Sequence, residues 1–274
     1  MFILFNLFAI TPLTNNNCML TNILAIAKNT FRETARDRIL LSGVFVIIAI
    51  ILFSLFIASI SLDQSTRMIV DFGVTAIYAL QMFVAIFIGS MLIYKEIERR
   101  TFYLLLPKPI TRTEVVVGKC LGLTATTILV TLVSTLALFI ILYIQSGQLY
   151  FTPILLSVLL STIEAVILIL ISILFSGITS PILAAVSTLA FFFIGHAGEI
   201  FRYIFMTTNS TVIEVLMRGF YYILPNLEKF NIRNDIIYGT LPSFHMIAVT
   251  ILYACSYILL LLVITQAAFK KKDF

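Results

Sequence analysis

The 274-residue chain is 61% hydrophobic and 11% charged, with a formal charge of +5 and a mean hydropathy of +1.10. A soluble domain is nearer half apolar and a quarter charged, and 18 basic with 13 acidic residues are too few to cover a globule of this length. An ordinary soluble enzyme, a disordered chain and a secreted disulfide scaffold are excluded, which leaves an all-α integral membrane protein.

Residues 1–18, MFILFNLFAITPLTNNNC, are apolar as far as Ile10 and then turn polar. They are too short to span and lack the basic region and small-residue site of a signal peptide. They read as an N-terminal extension, with Met19 as an alternative start and 19–274 as one membrane domain. Residues 20–40 set Leu20, Leu24, Ala27, Phe31, Ala35 and Ile39 about one turn apart, with Lys28, Arg32, Glu33, Arg36 and Asp37 opposite. This pattern predicts an amphipathic helix at the membrane interface, serving at least as an anchor.

A helix needs about 20 apolar residues to cross about 30 Å of hydrocarbon. Six stretches meet that length, at about 39–62, 69–94, 115–144, 153–175, 181–200 and 243–268. Asp63, Arg67 and Asp71 make a solvated turn between the first two.

Between the second and third spans the sequence reads KEIERRTFYLLLPKPITRTEVVVGK. Six basic and three acidic residues lie beside Phe102, Tyr103, Leu104, Leu105 and Leu106. Pro107 and Pro109 end any helix there, because proline lacks an N–H and restricts the residue before it. Thr111 and Glu114 then have the spacing of a capping box at the start of the third span. The expected product is a short amphipathic helix over about 96–106, suited to a helix-in-groove contact with a soluble partner. Gly118 and Gly122 form a small-x-x-x-small pattern at the base of that span, suited to close packing within the chain.

Glu164 falls midway along the fourth span, where a charge costs at least about 2.5 kcal/mol. Three readings stand open. It lines a substrate path, it pairs at a subunit contact, or it is a protonated acid bonded to a neighbour such as Thr162 or to a carbonyl. His196 and His245, the two histidines, fall near the outer ends of the fifth and sixth spans. They are weak metal or haem ligand candidates, with Met206 and Met246 as soft additions, and no His, Cys or carboxylate pattern accompanies them. The intervening loop 201–242 is long and aromatic and is expected to form a folded outer cap, with a helix over Val212–Ile223 ahead of Pro225. Cys18, Cys120 and Cys255 have no metal spacing and read as small apolar residues.

Orientation follows from Lys and Arg. Four precede the first span, six lie in the 95–119 loop and three close the chain, together 13 of the 18. Those segments and both termini are therefore placed in the cytoplasm, with the protein multi-pass in an inner or plasma membrane. The basic surplus is of this topological kind, so no nucleic-acid partner is expected.

The order of elements, the segment EIERRTFYLLLPKPITRTEVVVGK and the later YYILPNLEKFNIR resemble the permease subunits of second-class ATP-binding-cassette exporters. The similarity is greatest to those associated with multicopper-enzyme maturation. It covers roughly residues 20–274. In that family the 96–106 element is a coupling helix docked on a separate ATPase. The resemblance places this role on Glu96, Glu98, Arg99, Arg100, Phe102 and Tyr103. It also implies pairing with a second copy or a homologue, and an outer region that gates exit. ATP and magnesium would be held by the partner ATPase, with no cofactor in this chain. Consistently, no G-x-x-x-x-G-K-[ST] occurs, and Gly118-Lys119 is followed by Cys120. An ion-coupled secondary carrier would want several intramembrane charges or repeated halves. A haem- or metal-handling assembly factor would want clustered ligands. Both remain alternatives.

Overall fold

The computed structural model describes residues 16–60, 65–92, 111–146, 151–208, 210–237 and 242–270. The expected coupling segment 96–106, with Glu96, Glu98, Arg99, Arg100, Phe102 and Tyr103, lies outside the described residues, as do residues 1–15. Among the described residues the chain is all-helical. Five helices are long and apolar enough to cross a membrane, or six if one bent pair is counted as a single span.

Helix α1 (Asn16–Ala35) is followed by α2 (Arg38–Ile60). Asp37 separates them, its Oδ1 accepting the Ile39 N–H at 3.0 Å as an N-cap. α3 covers Ser65–Leu92 and contains a π turn at Val84–Ile88. α4 (Arg112–Ser146) and α5 (Phe151–Ile178) follow. α6 (Pro181–His196) starts on a proline, as its missing N–H allows. α7 (Gly198–Thr207) and α8 (Thr211–Ile223) form a hairpin held by Phe201–Phe220 and Phe205–Tyr221 ring contacts. A 3₁₀ turn (Leu227–Phe230), the short α9 (Arg233–Ile237) and α10 (Phe244–Lys270) complete the chain.

The core is the α3–α4–α5 trio. Tyr78 meets Glu164, Ile86 meets Ser172, and Ser90 meets Ser176, always 86 residues apart. A constant offset means that α3 and α5 run parallel. α4 runs the other way, pairing Gly73 with Leu138, Gln81 with Thr131, and Leu92 with Lys119. Hydroxyls inside these spans are mostly absorbed by their own helices, as when Thr126 donates to the Gly122 carbonyl at 3.0 Å.

One expectation changes here. The fifth span was expected to continue through Ile200, but the helix stops at His196 and the axis turns by 52° into α7. Gly195 and Gly198 flank the break at Ala197, and a Cβ on either would collide with Pro225–Leu227 packed across it. Glycine is also a poor helix former. α1 packs on the bundle through Ile23, Ile26, Ala27, Thr30 and Thr34, and Leu20 and Leu24 of its apolar stripe stay exposed.

Candidate functional site

Two regions carry unusual chemistry, one at the base of the bundle and one at mid-depth. The first is the base where the 93–110 loop leaves α3 and enters α4. α4 has 35 residues, about 52 Å of helix at 1.5 Å per residue, against about 30 Å of hydrocarbon. The surplus is met by α1, which packs along its first turns. Asn22 lies against Glu114, Ile26 against Gly118, and Ala27 with Thr30 against Gly122. These pairs advance together, so α1 and the start of α4 run parallel. The ideal Cβ positions of Gly118 and Gly122 fall 2.8 and 2.6 Å from α1 atoms, so only glycine allows the approach.

The same region pins both ends of the loop. Thr111 and Glu114 form a reciprocal capping box: the Thr111 N–H donates to Glu114 Oε2 at 3.1 Å, and the Glu114 N–H donates to Thr111 Oγ1 at 3.3 Å. Asn22 adds an Nδ2 contact to the same carboxylate oxygen at 3.4 Å. On the other side, Lys119, 2% exposed, donates from Nζ to the Leu92 carbonyl at 3.2 Å.

The second region is a buried polar cluster at mid-depth. Glu164 is fully buried near the middle of α5. Tyr78 of α3 donates its hydroxyl to Glu164 Oε1 at 2.9 Å. His196 ends α6, which at 16 residues is only about 24 Å long. It therefore reaches the level of Glu164 rather than the outer surface, which corrects its expected position. Its Nε2 lies 3.2 Å from Tyr78 Oη and 3.5 Å from Glu164 Oε1. Its Nδ1 lies 3.0 Å from the Phe192 carbonyl, an acceptor only, so Nδ1 carries a proton and Nε2 faces the cluster.

Over this trio sits the stretch 225–232, a single 3₁₀ turn with non-helical flanks, held down by buried Leu227, Phe230 and Ile232. Irregular backbone at membrane depth must be enclosed by protein and hydrogen-bonded. Here the Asn226 N–H donates to Tyr253 Oη at 2.8 Å, and Asn231 Nδ2 donates to Glu228 Oε1 at 3.0 Å. This plug brings charge with it. Glu228 Oε2 lies 3.9 Å from His196 Nε2. Arg233 donates from Nε to Asn231 Oδ1 at 2.9 Å and sets its guanidinium carbon 3.9 Å from the Tyr78 ring centroid. Lys229 lies over the Tyr253 ring.

Glu164 thus has Tyr78 and His196 as neighbours. Thr162, the partner considered from sequence, instead accepts from Gln81 Nε2 at 2.9 Å and donates to the Val158 carbonyl. His245, Met206 and Met246 are exposed and take no part in the cluster. Among the described residues no group of three or more His, Cys, Asp or Glu could hold a metal ion. Sequence reasoning missed Tyr78, Glu228 and Arg233. The only signal was the charge density of NLEKFNIR so close to the last span.

A family described as ABC-2 family transporter protein matches residues 24–274. The chain belongs to the ABC-2 transporter family. It is therefore the membrane-embedded component of an ATP-binding-cassette transporter, a transport subunit rather than a catalyst, and membership implies an ABC ATPase partner. No curated protein matches the chain. ABC-2 membership fits the several apolar helices and the lack of a P-loop in the sequence.

Proposed function

We propose that this ABC-2 permease is the membrane half of an exporter, resembling the multicopper-enzyme-maturation type. It pairs with a second copy or a homologue and is driven by a separate ATPase that holds ATP and magnesium. The basic end faces the cytoplasm, as the Lys and Arg distribution requires, and the membrane is the inner or plasma membrane. The segment 96–106 is the coupling helix, with Glu96, Glu98, Arg99, Arg100, Phe102 and Tyr103 on the ATPase. One observation carries the reading: both ends of the loop containing that segment are pinned, by the Thr111–Glu114 capping box and by Lys119 on the Leu92 carbonyl. A displacement imposed on such a loop passes into α3 and α4 instead of being lost in slack chain. Those two helices carry Tyr78 and Gln81 on one side and Thr131 on the other to the polar cluster.

Arg99→Glu with Arg100→Glu tests this. An ATPase co-purifies with the wild-type chain from native membranes and is lost from the double variant, while the variant keeps the wild-type unfolding temperature. Equal recovery of the ATPase in both would remove the coupling role.

A further inference from the structure

Tyr78 and Glu164 form a corner whose chemistry is not used up by the trio around it. The Tyr78 hydroxyl is spent on Glu164 Oε1, but the fully buried Oε2 has no hydrogen-bond partner among the described residues. Gln81, one turn further along α3, turns its Nε2 to Thr131 and Thr162 and leaves a buried Oε1 equally without a partner. A buried acceptor left without a donor is costly where it stands. The face of the Tyr78 ring completes the corner, and it is covered by the Arg233 guanidinium. An aromatic face beside a desolvated carboxylate is the arrangement that attracts an organic cation. Arg233 opens α9 directly after the plug, is tied to the plug through Asn231, and is not part of the α3–α5 pair that builds the corner.

We propose that the Tyr78–Glu164 corner is a recognition site for a cargo bearing a guanidinium or ammonium group, and that Arg233 is its built-in competitor. With the plug seated, Arg233 occupies the ring face. When the plug lifts, the cargo cation takes that face and donates to Glu164. The proposal rests on the transport reading for the lifting of the plug, but its test needs no ATPase.

The purified full chain in lipid nanodiscs is titrated with octylguanidinium, and with octylurea as a neutral isostere. Arg233→Gln should bind octylguanidinium at least tenfold more tightly than wild type. Arg233→Lys should not, and adding Glu164→Gln should abolish the gain. Octylurea should bind all four alike. A gain that survives Glu164→Gln, or no gain in Arg233→Gln, overturns the proposal. Should Arg233→Gln unfold, the chain with the buried Ile232→Cys as its sole cysteine, and with Asn231 and Arg233 retained, decides instead. Octylguanidinium should speed maleimide labelling of that cysteine relative to octylurea, and equal rates overturn the idea. Failure here leaves the permease reading standing, and loss of ATPase co-purification leaves a positive binding result standing.

Discussion

The base of α4 and the cluster beneath the plug are both buried polar regions in an apolar chain, yet they are finished differently. At the base, Glu114 accepts from Thr111 and Asn22, and Lys119 caps Leu92. Glycines let α1 close over the joint. At the cluster, Glu164 Oε2, Gln81 Oε1 and Asn226 Oδ1 stay without partners among the described residues, and the covering segment is one 3₁₀ turn with non-helical flanks instead of an α-helix. A satisfied network rigidifies, whereas a partly satisfied one is costly where it stands and gains from rearrangement. The base is built to hold, and the cluster is built to change.

That contrast breaks if damage at the base is cheap. Gly118→Leu with Gly122→Leu forces side chains into α1 and should cost about 3 kcal/mol, read as a lower unfolding temperature in nanodiscs. It should also abolish cross-linking of an Asn22→Cys, Glu114→Cys pair. Lys119→Met keeps the apolar stem but strips the Leu92 carbonyl, and should cost about 2 kcal/mol with loss of coupled ATP hydrolysis in the complex. Tyr78→Phe removes a single hydroxyl from a cluster that is already incomplete. It should cost only about 1 kcal/mol, yet lower coupled ATP hydrolysis by at least tenfold. Thr111→Ala removes half of the capping box and should cost about 1 kcal/mol or slightly less, with hydrolysis reduced least of the four. If Tyr78→Phe proved as destabilising as the glycine pair, the two regions would not differ as described.

Much of the base was legible in the sequence, because its determinants are local. The Thr111–Glu114 spacing, the two prolines ahead of it and the Gly118–Gly122 step each act within one or two helical turns. The spans were legible for the same reason, since hydrophobic length is a local property. The burial of Lys119 was not legible. A lysine near a span end ordinarily extends to water, and the carbonyl that captures it belongs to a helix 27 residues away. The face by which α1 packs was also hidden, because Thr30 and Thr34 count as polar until a glycine step opposite makes room for them.

The cluster was legible only at Glu164, which stands out against an apolar run. Tyr78, His196, Glu228 and Arg233 come from four other segments, and no periodicity joins them. The break after His196 was masked by the run from Phe191 to Ile194, which reads straight on into Gly198–Ile200. Only the plug packed on Gly195 and Gly198 shows why the helix stops there.

The central claim is that force applied to the loop between α3 and α4 reaches the plug over Glu164. It is tested by labelling a single cysteine at the buried plug position Ile232→Cys, in a chain with Cys18, Cys120 and Cys255 replaced by alanine, reconstituted with its ATPase. Maleimide labelling should accelerate several-fold when ATP and magnesium are added, and the acceleration should vanish when Arg99→Glu and Arg100→Glu are introduced. Labelling that is indifferent to ATP, or that responds equally with both arginines reversed, would contradict the account.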